Sequence, residues 1–554
     1  MTLTTTPRIS APLLTLAASA FLASAYNLTF WRSFIEAIGH LTPGHLPLLA
    51  GSFLLIVLLF NAFLTVVSFR LIIKPVLIGL FCVTAVISYF MNHYGVQIDK
   101  SMVQNMVETD WRETRELFSW NLVLTLVLLG LLPSLLVWRS EISYTPGRRG
   151  FALRAGIIAL SLLAVAMLLL MFFKSLAPAL REHRELRFQL TPTNYVQAVN
   201  GYLKQQHMHA DIVRPLGTDA VKRVPLDPGH RAVTLIVVGE TARAANFSLN
   251  GYGRLTNPEL AQQPDLLNFT GMQSCGTATA VSVPCVFSSL GRDKYDDAKA
   301  RNQHNLLDVL SHAGFEVLWR DNNSGCKGTC GRVSFEDLSK PDETGSVAGR
   351  EESNRWCVDG ECFDERLLEN LPDIIHRART DMVIVLHQKG SHGPAYWKRS
   401  PLKYQRFGPM CTSNELESCS RESIVAAYDN SIVYTDHFLN QAIELLKASG
   451  ERDGVNTAFM YFSDHGESLG EHNLYLHGAP YMISPDEQRA VPFMLWLSEG
   501  FRARFHIDQR CMAARVHKVI SHDNVFHSVL GMLSVNTAVY NPRLDLFSAC
   551  SSHV

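Results

Sequence analysis

The sequence has no excess of either charge: 50 Lys and Arg stand against 51 Asp and Glu. A chain so balanced, with no basic block, offers no electrostatic footprint for nucleic acid, and nucleic acid is excluded as a partner. There is no short-period repeat and no long low-complexity tract, so neither a repeat array nor a low-complexity tail is expected. Cysteine is nearly missing from the first 230 residues, where Cys82 stands alone. Long apolar runs are missing from everything beyond about residue 175. The two absences are complementary. They split the chain into an apolar N-terminal part and a mixed-charge C-terminal part, long enough for one sizeable α/β domain.

A bilayer core takes about 20 mostly apolar residues per helix. Five stretches qualify: Leu13 to Ile35, Leu46 to Phe69, Leu71 to Phe90, Asn121 to Trp138 and Ala152 to Phe173. Five in succession argue for a transmembrane bundle over residues 1–175. Lys74, near the start of the third stretch, is placed to snorkel to the interface. Arg8, Arg70, Lys74, Arg139, Arg148, Arg149 and Arg154 fall in short loops on one side, which puts those loops inside and the C-terminal part outside. Ala23-Ser24-Ala25 resembles a signal-peptide cleavage site; four helices would then remain, with the same orientation. Between the third and fourth stretches, Met102, Val103, Met106 and Val107 recur at helical spacing, as an interfacial amphipathic segment or a plain surface helix would. Residues 176–230, punctuated by Pro192, Pro215, Pro225 and Pro228, read as a helical linker to a catalytic domain at 231–554.

Ten of the 11 cysteines lie in that outer domain. Cys275 with Cys285, Cys326 with Cys330, Cys357 with Cys362 and Cys411 with Cys419 are close neighbours, and Cys511 and Cys550 are left as a long-range pair. Disulfides are expected in an oxidising compartment. The rival is a structural zinc cluster of Cys326, Cys330, Cys357 and Cys362. The topology favours disulfides.

Short apolar runs, Ala232 to Val238, Glu316 to Trp319, Asp381 to Leu386, Asn456 to Phe462 and Phe493 to Leu497, read as buried parallel strands. A helical pattern such as Arg421 to Leu446 lies between them. The expected fold is a mainly parallel sheet covered by helices on both faces. Sites in such sheets form beyond the carboxyl ends of the strands, and there Glu240, His392, Asp464 and His465 occur. Glu240, Asp464 and His465 supply three of the N and O donors that a zinc ion takes. The loop from Ser274 to Cys285 offers hydroxyls at Thr277, Thr279 and Ser282, weak nucleophiles that a metal activates. Lys327, His392 and His477 add positive charge or protons for a phosphoryl group. Spacing alone gives a metal-dependent hydrolase or transferase.

The segments Gly239-Glu240-Thr241-Ala242-Arg243, Ser274 to Ala280 (SCGTATA), Gly390-Ser391-His392-Gly393-Pro394 and Ser463 to Gly470 (SDHGESLG) resemble those of the phosphoethanolamine transferases, which include the mobile colistin-resistance enzymes. These belong to the alkaline phosphatase and sulfatase superfamily, and the resemblance runs over essentially the whole chain. It implies five N-terminal helices and a sulfatase-like periplasmic domain in a multi-pass protein of the bacterial inner membrane. It implies zinc held by Glu240, Asp464, His465 and Thr279, with Thr279 also the nucleophile. Lys327, His392 and His477 match residues holding the phosphoethanolamine group or a second zinc. The implied reaction carries phosphoethanolamine from phosphatidylethanolamine to lipid A through a phosphoethanolaminated threonine, among membrane lipids, by a chain read as a monomer. Capping a lipid A phosphate with an amine would weaken binding of polymyxins and other cationic peptides. The alternatives are transfer to a core sugar of lipopolysaccharide, or a membrane-bound phosphatase or sulfatase.

Overall fold

The computed structural model describes residues 8–38, 42–109, 111–183, 186–207, 213–227, 229–342 and 354–551. The linker proline Pro228 lies outside them. Two compact units emerge: residues 1–103 with 118–200, and residues 104–117 with 201–554. The second grouping is not visible in the sequence. The amphipathic segment divides, and Gln104 to Leu117 belongs with the large C-terminal unit.

Among the described residues of the first unit, four helices are long and apolar enough to cross a membrane: Pro43–Val66, Ile73–Tyr94, Trp120–Arg139 and Gly147–Leu176. The single first helix expected at Leu13 to Ile35 is instead a pair, Ala11–Ala25 and Leu28–Ala37, bent by 65°. The break has a polar cause. Asn27 is buried and its amide donates to the carbonyls of Leu22 and Thr191, while its Oδ1 accepts from the Thr191 amide. An apolar-run search cannot see such a device. Lys74 does not merely reach outward; it donates to the carbonyls of Trp138 and Ser140, closing the end of a neighbouring helix.

The span Trp120–Arg139 widens to a π-helical turn over Leu126–Leu131, just before Pro133, which has no amide hydrogen to give. The hydroxyl of buried Tyr26 donates to the Leu129 carbonyl there. In hydrocarbon no water replaces that donor. Tyr26→Phe is therefore expected to cost about 1 kcal/mol and to lower the thermal midpoint of the detergent-solubilised protein by roughly 2–4 °C, read by differential scanning fluorimetry.

The second unit is built on eight strands: β1 (Ala232–Gly239), β2 (Leu267–Gln273), β3 (Glu316–Asp321), β4 (Ser334–Asp337), β5 (Met382–His387), β6 (Asn456–Ser463), β7 (Ala490–Leu497) and β8 (Ile520–Ser521). Their order across the sheet is β8-β2-β7-β6-β1-β5-β3-β4. The sheet is mixed. β6, β1, β5, β3 and β4 run parallel, but β7 is antiparallel to both β6 and β2. The run Phe493 to Leu497, expected as a parallel strand, is thus reversed. A run buried on both faces looks the same in either direction, and its sense is set by the strands it pairs with. β2 was not foreseen, since its pattern Leu-Asn-Phe-Thr-Gly-Met-Gln is half polar.

Side chains alternate across β1. Val233, Leu235 and Val237 enter one core with Ile424, Ile432 and Leu439 of the long helix Arg421–Asp453, while Ile236 and Val238 enter another with Leu307, Leu310 and Val529. Helices therefore cover both faces. Five disulfides join Cys275 to Cys285, Cys326 to Cys330, Cys357 to Cys362, Cys411 to Cys419 and Cys511 to Cys550, so Cys326, Cys330, Cys357 and Cys362 form no zinc cluster. Cys82 carries a free thiol.

Candidate active site

Register brings the chemistry together. Gly239 lies opposite Ser463, Val238 opposite His387, and His387 opposite Asp321. The residues that follow these parallel strands must then leave the same sheet edge side by side. Glu240 and Asp464 do so as neighbours, each fully buried.

Thr279 opens the helix Thr279–Val286, and its Oγ1 lies 3.0 and 3.2 Å from the Glu240 carboxylate oxygens and 3.2 Å from His465 Nε2. The other two hydroxyls of that loop are turned elsewhere. Thr277 Oγ1 donates to the Ala479 carbonyl and Ser282 Oγ to the Asp464 carbonyl. The Cys275–Cys285 bridge closes the loop around them.

Glu240, Asp464 and His465 present ligand atoms that all lie within 4.8 Å of one another. Asp464 Oδ1 accepts from the amides of Thr241 and His465, while its Oδ2 is buried with no hydrogen-bond partner. Burial pushes the Asp464 carboxyl up, and the adjacent Glu240 charge adds to this, to about 6. Burial pulls the His465 imidazole down, but Asp464 and Glu240 overcome it and raise it to about 10. Burial likewise works to raise Glu240, yet the hydrogen bond and charge of His465 hold it well below the ordinary carboxylate value. Two carboxylates thus grip a proton at the imidazole where a divalent cation would satisfy all three groups. An oxygen and nitrogen donor set of this kind, with one orphaned carboxylate oxygen, suits zinc.

The remaining sequence candidates divide. The His477 ring lies 4.3 Å from that of His465, and the His392 ring 5.6 Å from that of His477. His392 is held neutral, since burial keeps its pKa well below the usual value, and its Nδ1 has no hydrogen-bond partner. Lys327 is turned toward Ser324 and the Glu108 backbone, and makes no contact with Thr279 or the three ligands.

Several contributors escaped the sequence reading. Asn323, just past β3, donates to Glu240 Oε2 at 2.7 Å and to the Gln388 carbonyl. Buried Glu467 lies 3.3 Å from His477 Nδ1 and orients that ring. His522 accepts from the Cys275 amide and donates to the Ser463 carbonyl, with burial holding it at about 3 and so neutral. The signal for Asn323 was its position in a polar strand end; Glu467 sat in a quoted motif; His522 had none. Thr241 adopts φ +59°, a left-handed conformation rare for a β-branched residue, and its hydroxyl donates to Glu240. Gly390, at φ +54°, packs so closely that a Cβ would sit 2.6 Å from the Glu240 carbonyl oxygen. Gly390→Ala is expected to cost about 1–3 kcal/mol, read as a lower unfolding midpoint in urea or heat.

Comparison with known proteins agrees with this architecture. The sulfatase family model matches residues 232–535, and the phosphoethanolamine transferase EptA/EptB model matches residues 56–207. Phosphoethanolamine transferase EptA of Escherichia coli (strain K12) is 38% identical over 549 residues, covering 97% of this chain and 96% of that one. Phosphatidylethanolamine transferase Mcr-1 of Escherichia coli is 37% identical, covering 86% and 88%. The solved integral membrane protein lipooligosaccharide phosphoethanolamine transferase A of Neisseria meningitidis superposes with a TM-score of 0.93 at 32% identity, over 99% of this chain and 100% of that one.

Proposed function

The chain belongs to the phosphoethanolamine transferases, and from that premise we propose that Thr279 carries phosphoethanolamine from phosphatidylethanolamine to a phosphate of lipid A. It is an enzyme of the inner membrane with its soluble catalytic domain in the periplasm. The observation that carries the reading is the Thr279 hydroxyl, set at a helix N-terminus against buried Glu240, Asp464 and His465.

Glu240, Asp464, His465 and Thr279 would hold zinc. Bound there, the ion supplies Lewis-acid stabilisation of negative charge on oxygen. Glu240 accepts the Thr279 hydrogen bond, leaving an oxygen lone pair free for phosphorus. Asn323 fixes the Glu240 carboxylate from behind. Thr279 Oγ1 forms a bond to phosphorus as the bond to the diacylglycerol oxygen breaks. The helix N-terminus and the amides of its first turn favour the charge on the phosphoryl oxygens. His477, aimed by Glu467, and neutral His392 hold the phosphoethanolamine group, and His477 carries the proton given up by Thr279 to the departing oxygen. Lys327 would add positive charge toward the phosphate only by leaving Ser324 and the Glu108 carbonyl, which hold it here. An oxygen of a lipid A phosphate then attacks the same phosphorus and Thr279 leaves. Two in-line displacements give net retention. The product carries an added amine, which lowers the negative charge of the outer membrane and confers resistance to polymyxins.

The test is the mass spectrum of lipid A from a host with unmodified lipid A, with and without this chain. An added phosphoethanolamine mass is expected. The mass appearing on core oligosaccharide instead would replace the acceptor, and no change in any glycan would overturn transfer.

A further inference from the structure

A cavity of about 1110 Å³ lies outside the Thr279 site, wholly within the large unit. It slightly exceeds the usual size of small-molecule sites, which run to about 1,000 Å³. The proposed reaction does not use it. Lys389 and Gly390 form part of its wall, and Gly390 is the residue whose backbone presses on Glu240. The neighbouring Ser391 amide donates to the Glu240 carbonyl, so one loop separates the cavity from the proposed zinc ligands.

The lining is chemically mixed. Arg399, fully buried, spends its charge on Glu116 and Glu361 and donates to the His392 carbonyl. It builds the wall and leaves nothing for a ligand. Arg115 is exposed, with no ion pair among the described residues. Lys398, with 46% of its side chain exposed, comes no nearer than 3.6 Å to Glu116. Trp397 lies beside Lys398, and Gln405, whose amide nitrogen donates to the Trp397 and Ser400 carbonyls, keeps its carbonyl oxygen to accept from a ligand hydroxyl. Ser400 is 3% exposed, lines the cavity, and its Oγ has no hydrogen-bond partner. A buried hydroxyl is not left unpaired without cost. A ligand that brings hydroxyls to Ser400, Gln405 and Glu361, a ring face to Trp397 and an anion to Arg115 and Lys398 answers every one of these groups.

We propose that this cavity binds the phosphorylated saccharide portion of the acceptor. The inference rests on the reading of the chain as a transferase to a glycolipid phosphate and deepens it. A phosphorylated sugar combines hydroxyls, a ring face and a compact double charge; a free phosphate lacks the first two and a neutral sugar the third. Holding the saccharide against the wall that backs Glu240 would confine the acceptor near the loaded threonine, the entropic part of transfer.

The test is calorimetric titration of the full chain in detergent micelles with glucosamine 1-phosphate, glucosamine and inorganic phosphate. The phosphorylated sugar is expected to bind at least about tenfold tighter than either fragment. Arg115→Ser with Lys398→Ser removes two exposed side chains, and is expected to raise its Kd about tenfold. The same double variant should raise the KM for lipid A in a transfer assay while kcat moves less than about twofold. Ser400→Ala, which deletes only the unpaired hydroxyl, is expected to weaken the sugar about threefold. Equal binding of inorganic phosphate, or a Kd and acceptor KM unmoved by the double variant, would overturn the cavity's assignment. A wild-type chain that binds the phosphorylated sugar but modifies no glycolipid would instead strike at the transferase reading. The two failures are therefore separable.

Discussion

Thr279→Ala is expected to leave lipid A unmodified in the same host and to cut transfer at least about 1,000-fold, as removing a covalent nucleophile does. Geometry makes the expectation specific to this hydroxyl. Thr277 and Ser282 are bonded to backbone carbonyls, so neither stands ready to substitute. Thr277→Ala is expected to retain most of the activity. Thr279→Ser keeps the oxygen, loses a methyl and with it some rotamer restriction, and should retain a measurable fraction. A second readout separates loss of the nucleophile from loss of the fold. Wild type incubated with phosphatidylethanolamine alone should gain a phosphoethanolamine mass on the peptide containing Thr279, and Thr279→Ala should gain none. Wild-type levels of lipid A modification by Thr279→Ala would remove the covalent step from the mechanism.

The legible parts of this molecule are those written in consecutive residues. Apolar runs announced Pro43–Val66, Ile73–Tyr94, Trp120–Arg139 and the long final span, because hydrocarbon tolerates little else over that length. β1, β3, β5 and β6 were visible because strands buried on both faces are apolar throughout. Glu240, Asp464 and His465 followed from their place at strand ends. What stayed hidden depends on contacts between distant segments. The bend at Asn27 needs Thr191, 164 residues away. The sense of β7 is set by its pairing and not by its composition. Within the hydroxyl loop, spacing left Thr277, Thr279 and Ser282 open, and the family pattern chose Thr279; in the structure, only Thr279 of the three is directed at the carboxylates. The segment around Met102 to Val107 reads as an interfacial or surface helix, yet just beyond it Glu116 meets Arg399 and Glu108 meets Arg301, 283 and 193 residues away in sequence. Such charge partners carry no local periodicity that a sequence scan could detect.

Asp464→Asn is expected to remove the metal while leaving the fold in place, and the reason lies in how its two oxygens are used. Oδ1 holds the Thr241 and His465 amides, and an asparagine carbonyl oxygen accepts both bonds equally well. Oδ2 has no hydrogen bond and stands 3.4 Å from His465 Nε2. The asparagine NH2 group placed there cannot ligate a cation. It also takes one negative charge from a fully buried pair of carboxylates, so the variant should unfold at or above the midpoint of wild type stripped of metal. Zinc measured by plasma emission on protein purified without chelator should fall from about one ion per chain to below about 0.1, with affinity at least about 100-fold weaker. Transfer to lipid A should fall in step and should not return at micromolar added zinc. Wild type stripped by a chelator should lose the same activity and regain it with zinc, since its ligands are intact. Asp464→Asn with normal zinc content and normal transfer would mean that the cluster of Glu240, Asp464 and His465 is a proton-sharing network of the core and that the metal, if one acts, is held elsewhere. Loss of transfer at full zinc occupancy would instead assign Asp464 a role in orienting Thr241 and the strained turn behind Glu240.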